Sequence, residues 1–248
     1  MITCRILGIL GLLLLLGIWH GISLSAAQKA NLVPSPIATL SHAVQVLTTN
    51  ESWRDIAETV GRMSAGFVLA SMVGILVGLI VGVSRNTFRA FSPILDFFRS
   101  TPVTSLYPVF VILLGVGHVS KIGMIFFACV FIIAVNAAYG MLSRSEVRSQ
   151  MAALFGATPL QRLTRIHIFE ALPHIVVGLR TALSLSLIVS ILTEMFMGSE
   201  FGIGQRITLA FATYRMEELF TWILISGSAG YLLNRVFDLL EDAVAWWK

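Results

Sequence analysis

The chain has 248 residues, of which 56% are hydrophobic and only 12% charged, about half the ~25% charged share of an ordinary soluble domain. A chain of this length cannot hide so many apolar side chains in one core, which excludes a soluble globular fold. Its net charge of +4, from 17 Lys and Arg against 13 Asp and Glu, is spread through the gaps between apolar runs, which fits retention of loops on the cytoplasmic side better than binding to nucleic acid.

Arg5, the apolar run 6–19 and Ser25-Ala26-Ala27 together have the look of a secretory signal with a small-residue cleavage site. The uncharged stretch 6–28 is longer than the usual signal core. At 1.5 Å per residue it reaches across a hydrocarbon layer of roughly 30 Å, so 1–28 is expected to be an uncleaved first spanning helix. Residues 29–62 are expected outside the membrane. Pro34 and Pro36 make a stiff turn, and 37–62, with Glu51, Arg54, Asp55, Glu58 and Arg62, suits an interfacial helix leading into the membrane.

Residues 63–84 carry no charge and form the second expected span. Gly66, Ala70, Gly74, Gly78 and Gly82 recur every four positions, a ridge that lets another helix approach closely. Residues 85–99 read as a short connector holding Arg85, Arg89 and Arg99 against Asp96. The third apolar stretch, 100–120, contains Pro102 and Pro108 and is expected to be bent or partly non-helical. Gly115-Val116-Gly117-His118 is a turn, Lys121 marks a boundary, and 122–142 is the fourth span.

The polar interval 143–170 carries Arg144, Arg148, Arg162 and Arg165 with Glu146 and Glu170. Gly156 and Pro159 divide it into a helix–turn–helix too polar for lipid, readable either as a docking knob for a cytoplasmic partner or as an ordinary structured loop. Residues 171–193 are apolar apart from His174 and Arg180 and end in Glu194. Residues 195–218, with Gly198, Gly202, Gly204, Arg206 and Arg215, read as a re-entrant or exterior loop, and 219–240 as the last span. Trp246 and Trp247 in the short tail 246–248 suit the membrane interface. Six spans with both termini in the cytoplasm place 85–99 and 143–170 inside.

Chemistry-bearing constellations are absent from the sequence: there is no Walker lysine loop, no His-Glu-x-x-His, no Gly-x-Ser-x-Gly and no Cys-x-x-Cys. Cys4 and Cys129 read as small packing residues. An ion-coupled carrier working alone, or a membrane scaffold, are the rival readings. A carrier usually hides several ionisable groups at mid-membrane, whereas here Arg180 and Glu194 are the clearest exceptions to nearly charge-free spans. They lie fourteen residues, about 21 Å, apart along a helix and cannot pair within it. Arg180 would favour an anion if it faced a pore, and would be a structural partner if it faced a neighbouring helix. Glu194 suits a structural hydrogen-bonding role.

The run Gln150-Met151-Ala152-Ala153-Leu154-Phe155-Gly156, continuing to Ile166 and Pro173, resembles the cytoplasmic "EAA" loop of permease subunits in binding-protein-dependent ABC importers: Glu-Ala-Ala, three residues, Gly, then a distal aliphatic position and Pro. Arg99 to Pro102 with Tyr107-Pro108, Glu194-Met195, and Gly202-Ile203-Gly204 are similar to elements of the nitrate/sulfonate/taurine branch. The resemblance covers roughly 34–245. It departs from the pattern at Gln150, Met151 and Phe169, and the loss of a Glu charge at 150 removes one salt bridge to a partner.

What the resemblance implies is an all-α integral membrane protein with about six spans in the type I ABC importer permease fold, its core at 63–245, in a bacterial inner membrane. A second copy would complete the pore, two cytoplasmic ATPase subunits would bind ATP and Mg2+, and a soluble binding protein would deliver solute outside; the chain itself would bind no cofactor and catalyse nothing. Gln150, Ala152, Ala153, Gly156, Ala157, Pro159 and Arg162 would contact the ATPase, with Gly156 allowing close backbone approach. Pro102, Tyr107, Pro108, Arg180 and Glu194 would belong to the path or gate. The solute would be a small anion such as nitrate, a sulfonate or bicarbonate, or a thiamine-precursor pyrimidine.

Overall fold

The computed structural model describes residues 2–25 and 32–244, all of them helix, turn or irregular connection. Eleven helices follow in order: α1 (Ile2–Leu24), α2 (Pro36–Leu47), α3 (Asn50–Val81), α4 (Arg85–Ser100), α5 (Tyr107–Leu114), α6 (His118–Leu142), α7 (Glu146–Leu154), α8 (Pro159–Arg162), α9 (Ile168–Met197), α10 (Ile203–Ala212) and α11 (Met216–Val244). A 3-10 turn, Val103–Leu106, precedes α5, and a π-helical turn, Leu163–His167, joins α8 to α9 into one helical run.

Among the described residues, length and apolarity qualify four helices to cross a membrane: α3, α6, the run through α9, and α11; α4 and the Val103–Leu114 segment qualify only together, as a pair bent by 83° that is either a broken span or a re-entrant loop. The remaining expected span is α1, whose described apolar stretch is Leu10–Leu24. Its leucines are left open, Leu12 to Leu15 being 58–67% exposed. Trp19 ties its end down, bonding through Nε1 to the Pro34 carbonyl and stacking on Phe220 of α11.

The centre is a three-helix core of α3, α6 and α9. The ridge on α3 has α6 as its partner. A Cβ at Gly66 would come within 2.6 Å of Ile125 Cγ2, one at Gly74 within 2.8 Å of the Val130 carbonyl, and one at Gly82 within 2.6 Å of Met141 Cβ. Such closeness supplies the van der Waals contact that must hold helices together where lipid is as apolar as the side chains. On the other side of α3, Val68, Leu69, Met72, Leu76 and Ile80 stay 50–67% exposed, a lipid-facing stripe at helical spacing.

Two sequence expectations are corrected. Residues 37–62 are not one interfacial helix: Thr48 and Thr49 end α2, and α3 then runs unbroken from Asn50 through Arg62 to Val81, so no boundary falls between 62 and 63. Residues 85–99 are not a connector. They are α4, whose Phe88, Leu95 and Phe98 pack on the C-terminal half of α6 against Tyr139, Val135 and Phe131, so the bent segment begins at Arg85 rather than at 100. The segment 195–218, expected as a re-entrant or exterior loop, contains the short helix α10. In each case apolar residues at helical spacing outweigh the charges or glycines between them. The tail 246–248 lies outside the described residues.

Candidate functional site

Two regions gather the polar chemistry, one at each end of α9. The first is the knob built from α7 and α8. Ser145 caps α7 by accepting from the Arg148 amide at 3.3 Å. The helix stops at Gly156, whose φ of +82° belongs to the left-handed region that side chains disfavour. The Gly156 and Ala157 amides turn back onto the carbonyls of Ala153 and Ala152, both at 2.9 Å. Thr158 then opens α8 with Pro159 in its first turn and a reciprocal capping box with Gln161. A Cβ at Gly156 would meet nothing within 4 Å, so within this chain the glycine is needed for its backbone angle.

The knob is rooted in the core. Glu170 accepts from the Ser145 amide at 2.9 Å and pairs with Arg148, and Arg144 donates to the Val83 carbonyl at the end of α3 at 2.8 Å. Its outer face is apolar and open: Val147 is 66% exposed, Leu154 87%, Phe155 89% and Leu160 68%. Gln150, Ala153, Gly156 and Pro159 are exposed beside them, and Ala152, Ala157 and Arg162 are half-buried.

The second region lies where α9 ends. Glu194 is fully buried. One oxygen takes Arg62 Nη1 at 2.5 Å, and the other takes the Thr59 hydroxyl at 3.0 Å and the Gly204 amide at 2.9 Å. Arg62 also donates to Glu58 at 3.0 Å, to the Phe201 carbonyl at 2.9 Å and to His118 Nδ1 at 3.1 Å. Asp55 accepts from the Gly202 amide at 2.8 Å and from Arg206 at 2.6 Å. Burial works against the charge on Arg206, but bonding and attraction to Asp55, then to Glu51, outweigh it and raise its pKa. Lys121 closes the group by donating to the Gly198 carbonyl at 2.6 Å. The first turn of α10 is thereby satisfied by Asp55, Thr59 and Glu194. Sequence reasoning singled out Glu194 and missed Arg62, Asp55, Thr59 and Arg206. The available signal was the string of charges at 51–62, read as the polar face of an interfacial helix outside the membrane.

Between these ends, Pro102 and Pro108 flank the break of the third crossing, and Tyr107 sits beside Phe196 of α9, ring centroids 6.4 Å apart. Pro102, Thr104, Ser105 and Pro108 are exposed. Arg180 is half-exposed and pairs with Asp238 of α11. The structure therefore places Glu194 in the buried charge network, the prolines and Tyr107 at the break, and Arg180 apart from both.

A core of spanning helices with an ordered knob between two of them is the architecture of a multi-pass membrane protein. The chain belongs to the family described as "Binding-protein-dependent transport system inner membrane component", whose model matches residues 70–245; it is the permease subunit of an ABC importer for a small solute and a multi-pass inner-membrane protein. A Bacillus subtilis protein named for aliphatic sulfonates transport, the permease SsuC, is 25% identical over 96% of this chain and 87% of its own length. The bicarbonate transport system permease protein CmpB of Synechocystis is 28% identical over 78% of this chain and 69% of its own. Among solved structures, an inward-facing conformation of the MetNI methionine ABC transporter matches with a TM-score of 0.67 at 22% identity, covering 77% of this chain and 94% of that one, a likeness of fold.

Proposed function

We propose that two copies of this chain form the translocation path of an importer for a small anion, with the α7–α8 knob seated in a cytoplasmic ATPase subunit and an external binding protein delivering the solute. The observation that carries the reading is the knob itself. An ordered element, fixed by a left-handed glycine and a capping box, offers Val147, Leu154, Phe155 and Leu160 to the surroundings. Exposed apolar side chains on a rigid mount are what a partner surface covers. ATP, bound with Mg2+ by the ATPase pair, would close that pair and push the knob. The helices would then exchange between outward- and inward-open packings. Gln150, Ala152, Ala153, Gly156, Ala157, Pro159 and Arg162 frame the seat. Arg148, Arg162 and Arg165 would add peripheral electrostatic steering, of opposite sign to the Glu charge that Gln150 lacks.

An anionic solute is favoured by the names of two relatives, for sulfonates and for bicarbonate, and by Arg180 in the span. The broken crossing at Pro102 to Pro108 borders the path because non-helical backbone at membrane depth is tolerated against protein or water, not against lipid.

The seat is tested with Leu154→Ala/Phe155→Ala in the full chain, purified with its ATPase subunit. Burying a Leu or Phe side chain is worth about 1.5–3 kcal/mol, so the double variant should weaken ATPase association by roughly a hundredfold while the permease itself stays monodisperse. Unchanged association and unchanged coupling of hydrolysis to uptake would remove the knob from the motor contact.

A further inference from the structure

The Arg180–Asp238 pair does not stand alone. One helical turn further along α9, Ser184 donates to Asn234 of α11 at 3.0 Å, and Asn234 lies four residues before Asp238. Two polar pairs thus form a ladder down the α9–α11 seam. Arg180 is twelve residues, about 18 Å, from the start of α9. Neither end of the ion pair is sealed, the arginine side chain being 49% exposed and the aspartate 26%. Half-open charges in a spanning segment do not face hydrocarbon.

What the ladder faces follows from the faces of α9. With about 100° per residue, Val177, Thr181, Ile188 and Met195 fall on one strip, and all four are exposed. Gly178 and Ala182 meet α6, while Leu183 and Leu187 meet α3. Val189, Leu192 and Phe196 meet the break at Val103 to Tyr107. The open strip therefore runs between the ladder on one side and the broken crossing on the other. Both borders are unsuited to lipid, which favours an aqueous path over hydrocarbon beside the strip.

Resting on the anion reading above, we propose that Asp238 is the resident counter-ion of Arg180 and that the passing anion displaces it, making the ladder an oxyanion subsite on the path. The guanidinium is a planar fork that matches two oxygens of a sulfonate, nitrate or bicarbonate. Asp238 engages Nη2 through one oxygen, and the exposed remainder of the fork is open to a solute. Ser184 and Asn234 hold the two helices in register beside it. Arg180 is the residue that touches the solute, and Asp238 is a positioning residue that keeps the cation neutralised and extended when the path is empty.

The test is ATP-driven uptake of labelled ethanesulfonate and of labelled bicarbonate by the complete transporter in proteoliposomes, with assembly followed by size-exclusion chromatography. Arg180→Gln should raise KM for the transported anion by roughly tenfold, the loss expected for a charge-assisted hydrogen bond. Asp238→Asn should lower KM, because the competitor for the guanidinium is gone, with maximal rate falling if release becomes slow. The swap Arg180→Asp/Asp238→Arg rebuilds an ion pair in the seam and should keep assembly intact while abolishing uptake. If the swap retains uptake, or if Asp238→Asn leaves KM unchanged or higher, the pair is only a clasp between helices and the proposal is overturned while the anion reading stands. Uptake of neither anion by a wild-type complex that carries an uncharged solute would overturn both.

Discussion

Glu194→Gln changes one atom in the buried network and should be costly. The carboxylate has acceptors on both oxygens, serving Arg62 on one and Thr59 and Gly204 on the other. An amide has one oxygen and two N–H donors. With its oxygen toward Arg62, its nitrogen can donate to the Thr59 hydroxyl, which leaves the Gly204 amide without an acceptor. A buried orphan of this kind costs about 1–3 kcal/mol, and losing the charge opposite Arg62 adds to it. Glu58 remains as a second partner for Arg62, so the total is placed near 3 kcal/mol, at the lower end for a broken buried pair. For a chain of this size that corresponds to a Tm lower by about 6–12 °C. Replacing Arg62 with Met in the same chain should recover part of the loss but not the Gly204 term. Thermal unfolding of the detergent-purified permease, run as a four-member cycle, reads both quantities. A Glu194→Gln shift under 2 °C, or strict additivity of the two substitutions, would refute the carboxylate as the shared acceptor that holds α10 to α3.

Gly78→Leu should abolish monodisperse protein in fluorescence-detected size-exclusion chromatography, since the side chain would drive into Ala134 and Ala137, while Gly61→Leu, where nothing lies within 4 Å, should leave the profile unchanged. Gly156→Ala should cost about 1 kcal/mol of local order through its φ of +82°, read as faster hydrogen exchange of the 150–160 amides with no change of fold elsewhere.

The spans were legible because charge-free runs of helical length have few alternatives in water or lipid, and the glycine ridge was legible because its four-residue spacing is a property of one helix. Its partner was not, since the matching face of α6 (Val130, Ile133, Ala134, Ala137, Ala138 and Met141) sits in a helix that is apolar nearly all round and does not stand out from it. The network at Glu194 was invisible for a related reason. Arg62 and Glu194 are 132 positions apart, Asp55 and Arg206 151, and a charge that ends an apolar run looks the same in sequence whether it reaches water or a buried carboxylate. Arg85, Arg89 and Arg99 likewise masked α4. The apolar residues Phe88, Leu95 and Phe98 recur at helical spacing between them, but the cations dominated the reading. Arg180 was found as an oddity within a span, whereas Asp238 looked like a residue of the polar end of α11.

Helix α9 connects these parts mechanically. The helical run from Pro159 to Met197 has 39 residues, a rod of about 58 Å. Its inner end is the second half of the knob, its middle carries Arg180, and its outer end delivers Glu194 to the clamp on α10. A packed helix transmits displacement rather than absorbing it, so the proposed push on the knob would reach the ladder and the clamp together unless the rod yields. It can yield at the π-helical turn Leu163–His167, where the hydrogen-bond ladder changes register, and at Pro173, which removes a ladder donor inside α9. Glu170 and Arg148 bridge that turn from α9 back to α7, tying the knob to the rod on its far side. Under the proposed push, motion at the knob would carry α9 with it, because the knob's second half and both clusters of charge are attached to the same helical run.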